Sequence, residues 1–250
     1  FAAKGQLLWT PSSTWETRVI LNGERARDGD YALNDLGALR DRPFTAARDF
    51  EGFTHRDLFG TTILNRHEGG RFAVTATTGL LSWNTEDATD LDYTPLPLLR
   101  RNNAEEAFQF TQEVRVASAA NAPARLSDSM ALRWQAGVFF FMQDYEQNAV
   151  NSFAPFVLSP FVPFPVDQQS PQASLDDVGI GLFGQGTIVL SQKVDVTAGL
   201  RFDHEQKEGV LTTSYSPQIA PPTNVSEEKG FSNVSPQVSV AYRPDGRFTV

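Results

Sequence analysis

From Val194 the chain alternates strictly. Val194, Val196, Ala198, Leu200 and Phe202 fall on one side, and Asp195, Thr197, Gly199, Arg201, Asp203 and Glu205 on the other. A period of two is the signature of a strand with one apolar and one polar face. The segment Leu132, Trp134, Ala136, Val138, Phe140, Met142 does the same against Arg133, Gln135, Gly137, Phe139, Phe141 and Gln143. So do Phe108, Phe110, Val114 and Val116 against Gln109, Thr111, Glu113 and Arg115, with Gln112 the exception on the apolar side. Further on, Val178, Ile180, Leu182, Gly184, Gly186, Ile188 and Leu190 oppose Phe183, Gln185, Thr187 and Val189. Near the start, Trp15, Thr17, Val19 and Leu21 oppose Glu16, Arg18, Ile20 and Asn22.

Read in this way, the chain predicts nine strands and the start of a tenth: Ala3–Trp9, Trp15–Arg25, Asp57–Asn65, Phe72–Trp83, Phe108–Ala117, Ala131–Tyr145, Val178–Leu190, Val194–Glu205, Val234–Tyr242 and a last one from Arg247. The third and fourth are the least regular. Short turns are expected at 10–14 (TPSST), 67–70 (HEGG), 191–193 (SQK) and 243–246 (RPDG), with a longer connection on the same side at 118–130. Their Gly, Pro, Asp and Ser supply turn geometry. Long connections are expected at 26–56, 84–107, 146–177 and 206–233. Helical periodicity is hard to find anywhere.

The strand lengths raise the question of which face looks inward. Several patterned segments run for about 12 residues, where a globular strand runs about 5–6 and a tilted membrane strand about 9–11. Short turns at one end and long connections at the other are the asymmetry of membrane barrels. The fold class expected is therefore all-β, an antiparallel up-and-down transmembrane β-barrel, present in part. A soluble β-sandwich binding module is the rival, with the apolar face sealed in a core. The longest apolar run, Ala136–Met142, is far short of a membrane helix.

Composition narrows the partners. The net charge of -9 opposes nucleic acid, which needs a basic surface. With no cysteine, a disulfide framework and a thiolate metal site are both out. There is no initiator Met, and the chain breaks off in RFTV, so it reads as an internal piece of something longer.

Four stretches, FTQEVRVAS (110–118), WQAGVFFF (134–141), LFGQGTIVLSQKVDVTAGLRFDHEQKEG (182–209) and VSPQVSVAYRPDGRFTV (234–250), resemble the barrel of TonB-dependent outer-membrane receptors of the ferric-siderophore type. The third is the most specific, with its strand, short turn, strand and charged exit. Residues 1–107 fit by pattern only. The resemblance implies a bacterial outer-membrane receptor that imports a scarce solute, a ferric siderophore in the first instance, using energy from the TonB complex through a plug. Residues 1–250 would be part of one barrel domain, with the plug and the C-terminal strands outside them. The partners implied are the lipid bilayer, the solute and TonB. Neither a cofactor nor catalysis is implied. A passive porin-like channel is the alternative.

Candidate site residues follow from the same frame. Phe153, Phe156, Phe161 and Phe164 sit among prolines in 152–171, either as an aromatic ligand platform, or as a loop packed on its own rings or a floppy rim. Glu113, Arg115, Arg133, Arg201 and Asp203, with Glu16, Arg18, Asp195 and Glu205, are expected to face the lumen. They would contact a plug or solute, or pair across strands. Acidic clusters at Asp28 and Asp30 and at Asp87, Asp90 and Asp92 suggest calcium but lack a full ligand series, and the plainer reading is solvated loop surface. His55, His67 and His204 have no metal-ligand spacing.

Overall fold

A computed structural model describes residues 1–31, 33, 35–119, 122–190 and 193–243. They form a ten-stranded antiparallel sheet of β1 (Ala2–Ser12), β2 (Trp15–Gly29), β3 (Phe53–Glu68), β4 (Phe72–Asp90), β5 (Leu99–Ser118), β6 (Ala124–Ser127), β7 (Met130–Phe153), β8 (Val166–Leu190), β9 (Val194–Ser216) and β10 (Thr223–Tyr242). Strands pair in chain order, except that β7 pairs with β5. The short β6 takes the place beside β7 just beyond the end of β5, with Ala124 opposite Leu132 where Ala117 is opposite Gln135. Among the described residues β1 and β10 each have one unpaired edge, so the sheet is open.

The strands are much longer than the alternation predicts. The connections expected at 84–107, 146–177 and 206–233 are mostly strand, because β4 runs to Asp90, β5 starts at Leu99, β7 ends at Phe153, β8 starts at Val166 and β9 runs to Ser216. The reason is solvent. Period two marks a strand whose two faces meet different media. In 102–106, 206–208 and 227–229 both faces are polar, so the pattern vanishes while the backbone ladder continues. The turn expected at 118–130 contains β6, and the connection at 26–56 contains a helix, α1 (Leu36–Asp41), whose Ala38 N–H donates to the capping side chain of Asp35 at 2.9 Å. The strand expected from Arg247 lies outside the described residues.

Register confirms the faces. Leu200 lies opposite Gly184 and Pro236, Val196 opposite Ile188 and Val240, and Leu182 opposite Val138 and Phe202. That face has no second layer among the described residues. Leu200 is 56% exposed, Leu182 53% and Trp134 38%, and among the described residues the buried apolar side chains are only Ala88, Ala107, Ala119, Ala149 and Val166. A β-sandwich would seal Leu200 and Trp134 inside, so that reading fails. A continuous apolar face of this size requires hydrocarbon against it. Among the described residues no helix is long and apolar enough to cross a membrane.

Gln112, the polar exception on the apolar face, is accounted for by its neighbour. Thr78 lies directly across on β4 and donates its hydroxyl to Gln112 Oε1 at 2.6 Å, and Gln112 Nε2 donates to the Glu113 carbonyl at 3.1 Å. Replacing Thr78 by Val is expected to cost about 1 kcal/mol, because the amide loses a partner where water cannot substitute. The double change Thr78→Val with Gln112→Leu should recover most of it, as read by equilibrium unfolding in lipid vesicles.

Candidate functional site: a charged concave wall and an aromatic rim loop

The polar side of the sheet is concave. Glu16 and Arg18 of β2, Arg66 of β3, Thr75 of β4, Arg115 of β5 and Gln135 of β7 line one hollow of about 900 Å³, which a flat sheet could not enclose. A second hollow of about 280 Å³ continues it toward β10, sharing Arg115 and Gln135 and adding Glu113, Phe183 and Arg201. The alternation expected from the sequence thus delivers Glu113, Arg115 and Arg201 to one wall.

These charges differ in what they do. Arg201 holds Asp203, two residues along β9, through Nε at 2.8–2.9 Å and Nη2 at 2.6 Å. Its guanidinium also lies over the rings of Phe139 and Phe183, at 5.7 and 5.9 Å. Glycines make the room. A Cβ on Gly181 would lie 2.6 Å from the Asp203 carboxylate, and one on Gly137 would lie 2.5 Å from the Phe183 ring. Phe139 and Phe183 are therefore wall residues that the charge pattern alone does not single out, although their place on the polar side of two alternating segments is the signal.

Arg133 is not a free lumen charge. Together with Arg243 it donates to Asp195 Oδ2, both at 2.9 Å, and Asp195 is buried. This knot ties β7, β9 and the end of β10 at the short-turn end. Glu16 pairs with Arg18 at 3.0 Å, and Lys207 bridges Asp177 at 3.0 Å and Glu205 at 2.8 Å. Cross-strand or same-strand pairing is thus the role of most of these residues. Glu113 and Arg115 have no ion-pair partner among the described residues and remain open to the hollow.

The four phenylalanines lie at the opposite end. Phe153 closes β7 and is half-buried, while Phe156 is 60% exposed, Phe161 91% and Phe164 40%. Among the described residues no ring-to-ring contact joins them. The loop backbone is tied down instead. Phe156 N–H donates to the Val162 carbonyl at 2.8 Å, and Ala154 N–H to Leu98 of the neighbouring connection at 2.9 Å. Phe156 adopts φ of 67°, a left-handed conformation unfavourable for a bulky side chain. The histidines stay apart, His67 beside Trp15, His55 stacked on Phe53 and His204 bonded to Ser232.

An open wall of long up-and-down strands, greasy outside and charged within, defines the class as a transmembrane β-barrel. Residues 7–250 match the family model of the TonB dependent receptor-like β-barrel, and the chain belongs to that family. Membership places it in the bacterial outer membrane, with the short turns at the periplasmic end and the long connections outside. Among solved structures the fold is similar to the ferric yersiniabactin uptake receptor FyuA from Yersinia pestis, at 14% identity and a TM-score of 0.71, covering 98% of this chain and 35% of that one. It is similar to the ferric citrate transporter FecA in its unliganded form, at 10% identity and 0.74, covering 99% and 34%. It is similar also to the siderophore receptor PiuA from Acinetobacter baumannii, at 11% identity and 0.71, covering 98% and 40%. The chain thus spans little more than a third of the receptors it matches. No curated protein sequence matches it.

Proposed function

We propose that the chain is a wall segment of a receptor that binds a ferric siderophore outside the cell and imports it with energy supplied through TonB. The observation that carries the reading is the outer loop 154–165, which presents Phe156, Phe161 and Phe164 to solvent on a hydrogen-bonded backbone. Exposed aromatics at a barrel mouth suit a chelate that is large, partly apolar and rich in rings or acyl chains. The names of the structural relatives, two ferric-chelate carriers and a siderophore receptor, support the same solute class. On this reading the open edges of β1 and β10 join further strands of one barrel. Glu113 and Arg115, which have no ion-pair partner among the described residues, then face a plug that fills the concave side.

The test is uptake by the full-length receptor. Replacing Phe153, Phe156, Phe161 and Phe164 together by Ala is expected to lower uptake of its ferric chelate by tenfold or more, since anchoring aromatics contribute ~2 kcal/mol each where they are central to binding. Growth under iron limitation on a panel of defined siderophores identifies the chelate, and radiolabelled iron measures the rate. Unchanged uptake at normal surface expression would remove the aromatic platform. Uptake that persists without TonB, with ion conductance through the purified protein, would leave a passive channel instead.

A further inference from the structure

Three carboxylates meet at the outer end of β4, and sequence spacing connects only two of them. Asp90 ends β4, Asp92 follows in the β4–β5 connection, and Asp49 comes from the β2–β3 connection. One oxygen from each lies within 4.8 Å of the other two. Asp90 is not a solvated surface charge, being 0% exposed. Asp87, counted with it in the sequence, instead accepts from Asn103 at 3.0 Å, and Asp30 is paired with Arg48 at 2.7 Å.

The hydrogen bonds at the cluster cover only part of the charge. Asp90 Oδ1 accepts the N–H groups of Asp92 and Tyr93, both at 3.1 Å. Asp92 accepts Thr94 N–H at 3.0 Å, the Thr94 hydroxyl, and Leu99 N–H at 2.8 Å. Asp49 Oδ2 takes the Arg100 guanidinium, which also lies over the Phe50 ring at 4.6 Å. Asp90 Oδ2 and Asp49 Oδ1 are left sealed from solvent with no donor among the described residues. Three carboxylates faced by one guanidinium leave two negative charges uncompensated, an arrangement strongly disfavoured away from water. Burial, reinforced by the charges of Asp92 and Asp49 against the two N–H bonds, raises the Asp90 carboxyl above its ordinary range.

Both orphaned oxygens are closed to a water-sized sphere. What compensates them is a proton or an atomic cation. The donors are oxygens only, which selects a hard cation. They come from the end of β4 and from two irregular connections, which suits the large, adaptable shell of calcium better than the strict octahedron of magnesium. We propose that Asp49, Asp90 and Asp92 bind a calcium ion that pins the β2–β3 connection, with its helix α1, against the β4–β5 connection at the extracellular rim. The inference stands on loop geometry and is independent of which solute is imported.

The experiment uses the full-length receptor in detergent, stripped with chelator and titrated with calcium chloride at neutral pH, by calorimetry and by thermal unfolding. The expected result is a saturable calcium site, a rise in melting temperature, and protection of segment 30–52 from proteolysis. Asp90→Asn and Asp49→Asn should each weaken the site at least about tenfold, as loss of a ligand does, while Asp28→Asn on exposed β2 should leave it intact. If Asp90→Asn fails to fold, Asp49→Asn and the calcium dependence of the unchanged receptor carry the test. No calcium binding up to millimolar concentration would overturn the proposal in favour of a buried proton. Equal binding in the wild type and both variants would overturn it by placing the calcium elsewhere.

Discussion

Arginine in place of Val138 is expected to destabilise the receptor in a bilayer by about 2–4 kcal/mol, the cost of a guanidinium near the middle of the lipid face. Val138 lies midway along the apolar row of β7, between Val114 on β5 and Leu182 on β8, and is 36% exposed. An arginine there has apolar neighbours on both sides and hydrocarbon in front. The control lies three residues away on the same strand. Gln135 faces the wet hollow, and Gln135→Arg is expected to change stability by no more than about 0.5 kcal/mol. Reversible unfolding from lipid vesicles in denaturant measures both. Equal penalties at the two sites would mean that the faces of β7 are assigned wrongly, and the membrane assignment of the whole sheet would fall with them.

The second large effect is expected at Gly137, on the lumen side. A Cβ there would lie 2.7 Å from the Val114 carbonyl oxygen, a backbone atom that cannot step aside, and 2.5 Å from the Phe183 ring. Gly137→Ala is expected to cost about 1–3 kcal/mol through overpacking. It should also displace the Phe183 ring from beneath Arg201. Gly186→Ala is the contrast, since its Cβ meets nothing closer than Leu132 Cδ1 at 3.5 Å. That change is expected to fall within about 0.5 kcal/mol of the parent. Unfolding in vesicles reads the cost, and a crystal structure of the alanine variant would show whether the ring has moved. If the two variants prove equally stable, the close approach of β5, β7 and β8 at Gly137 is not a constraint on the fold.

Legibility followed the contrast between media. In β7, β8 and β9 the alternation gave the strand, its faces and its neighbours, because an apolar surround on one side and water on the other select opposite side chains at successive positions. That Glu113, Arg115 and Arg201 share the polar side of their strands was legible for the same reason. Where water bathes both faces, as at 206–208 and 227–229, selection is equal at every position and the strands read as loops. The helix α1 was too short to show a period, and its one local sign is the capping Asp35. Pairing partners were not legible either. Arg133 and Arg243 converge on Asp195 only because register brings β7, β9 and the end of β10 together.

Alone, then, the order of amino acids determined which side of each membrane ribbon is greasy and that successive ribbons run up and down, since both depend on the transfer of single side chains between water and hydrocarbon. Only the tertiary structure decided which charges pair and which stay open, how far the strands rise above the bilayer, and that Asp49 joins Asp90 and Asp92. Those outcomes depend on hydrogen-bond register and loop path between residues far apart in the chain, and no local periodicity encodes such distances.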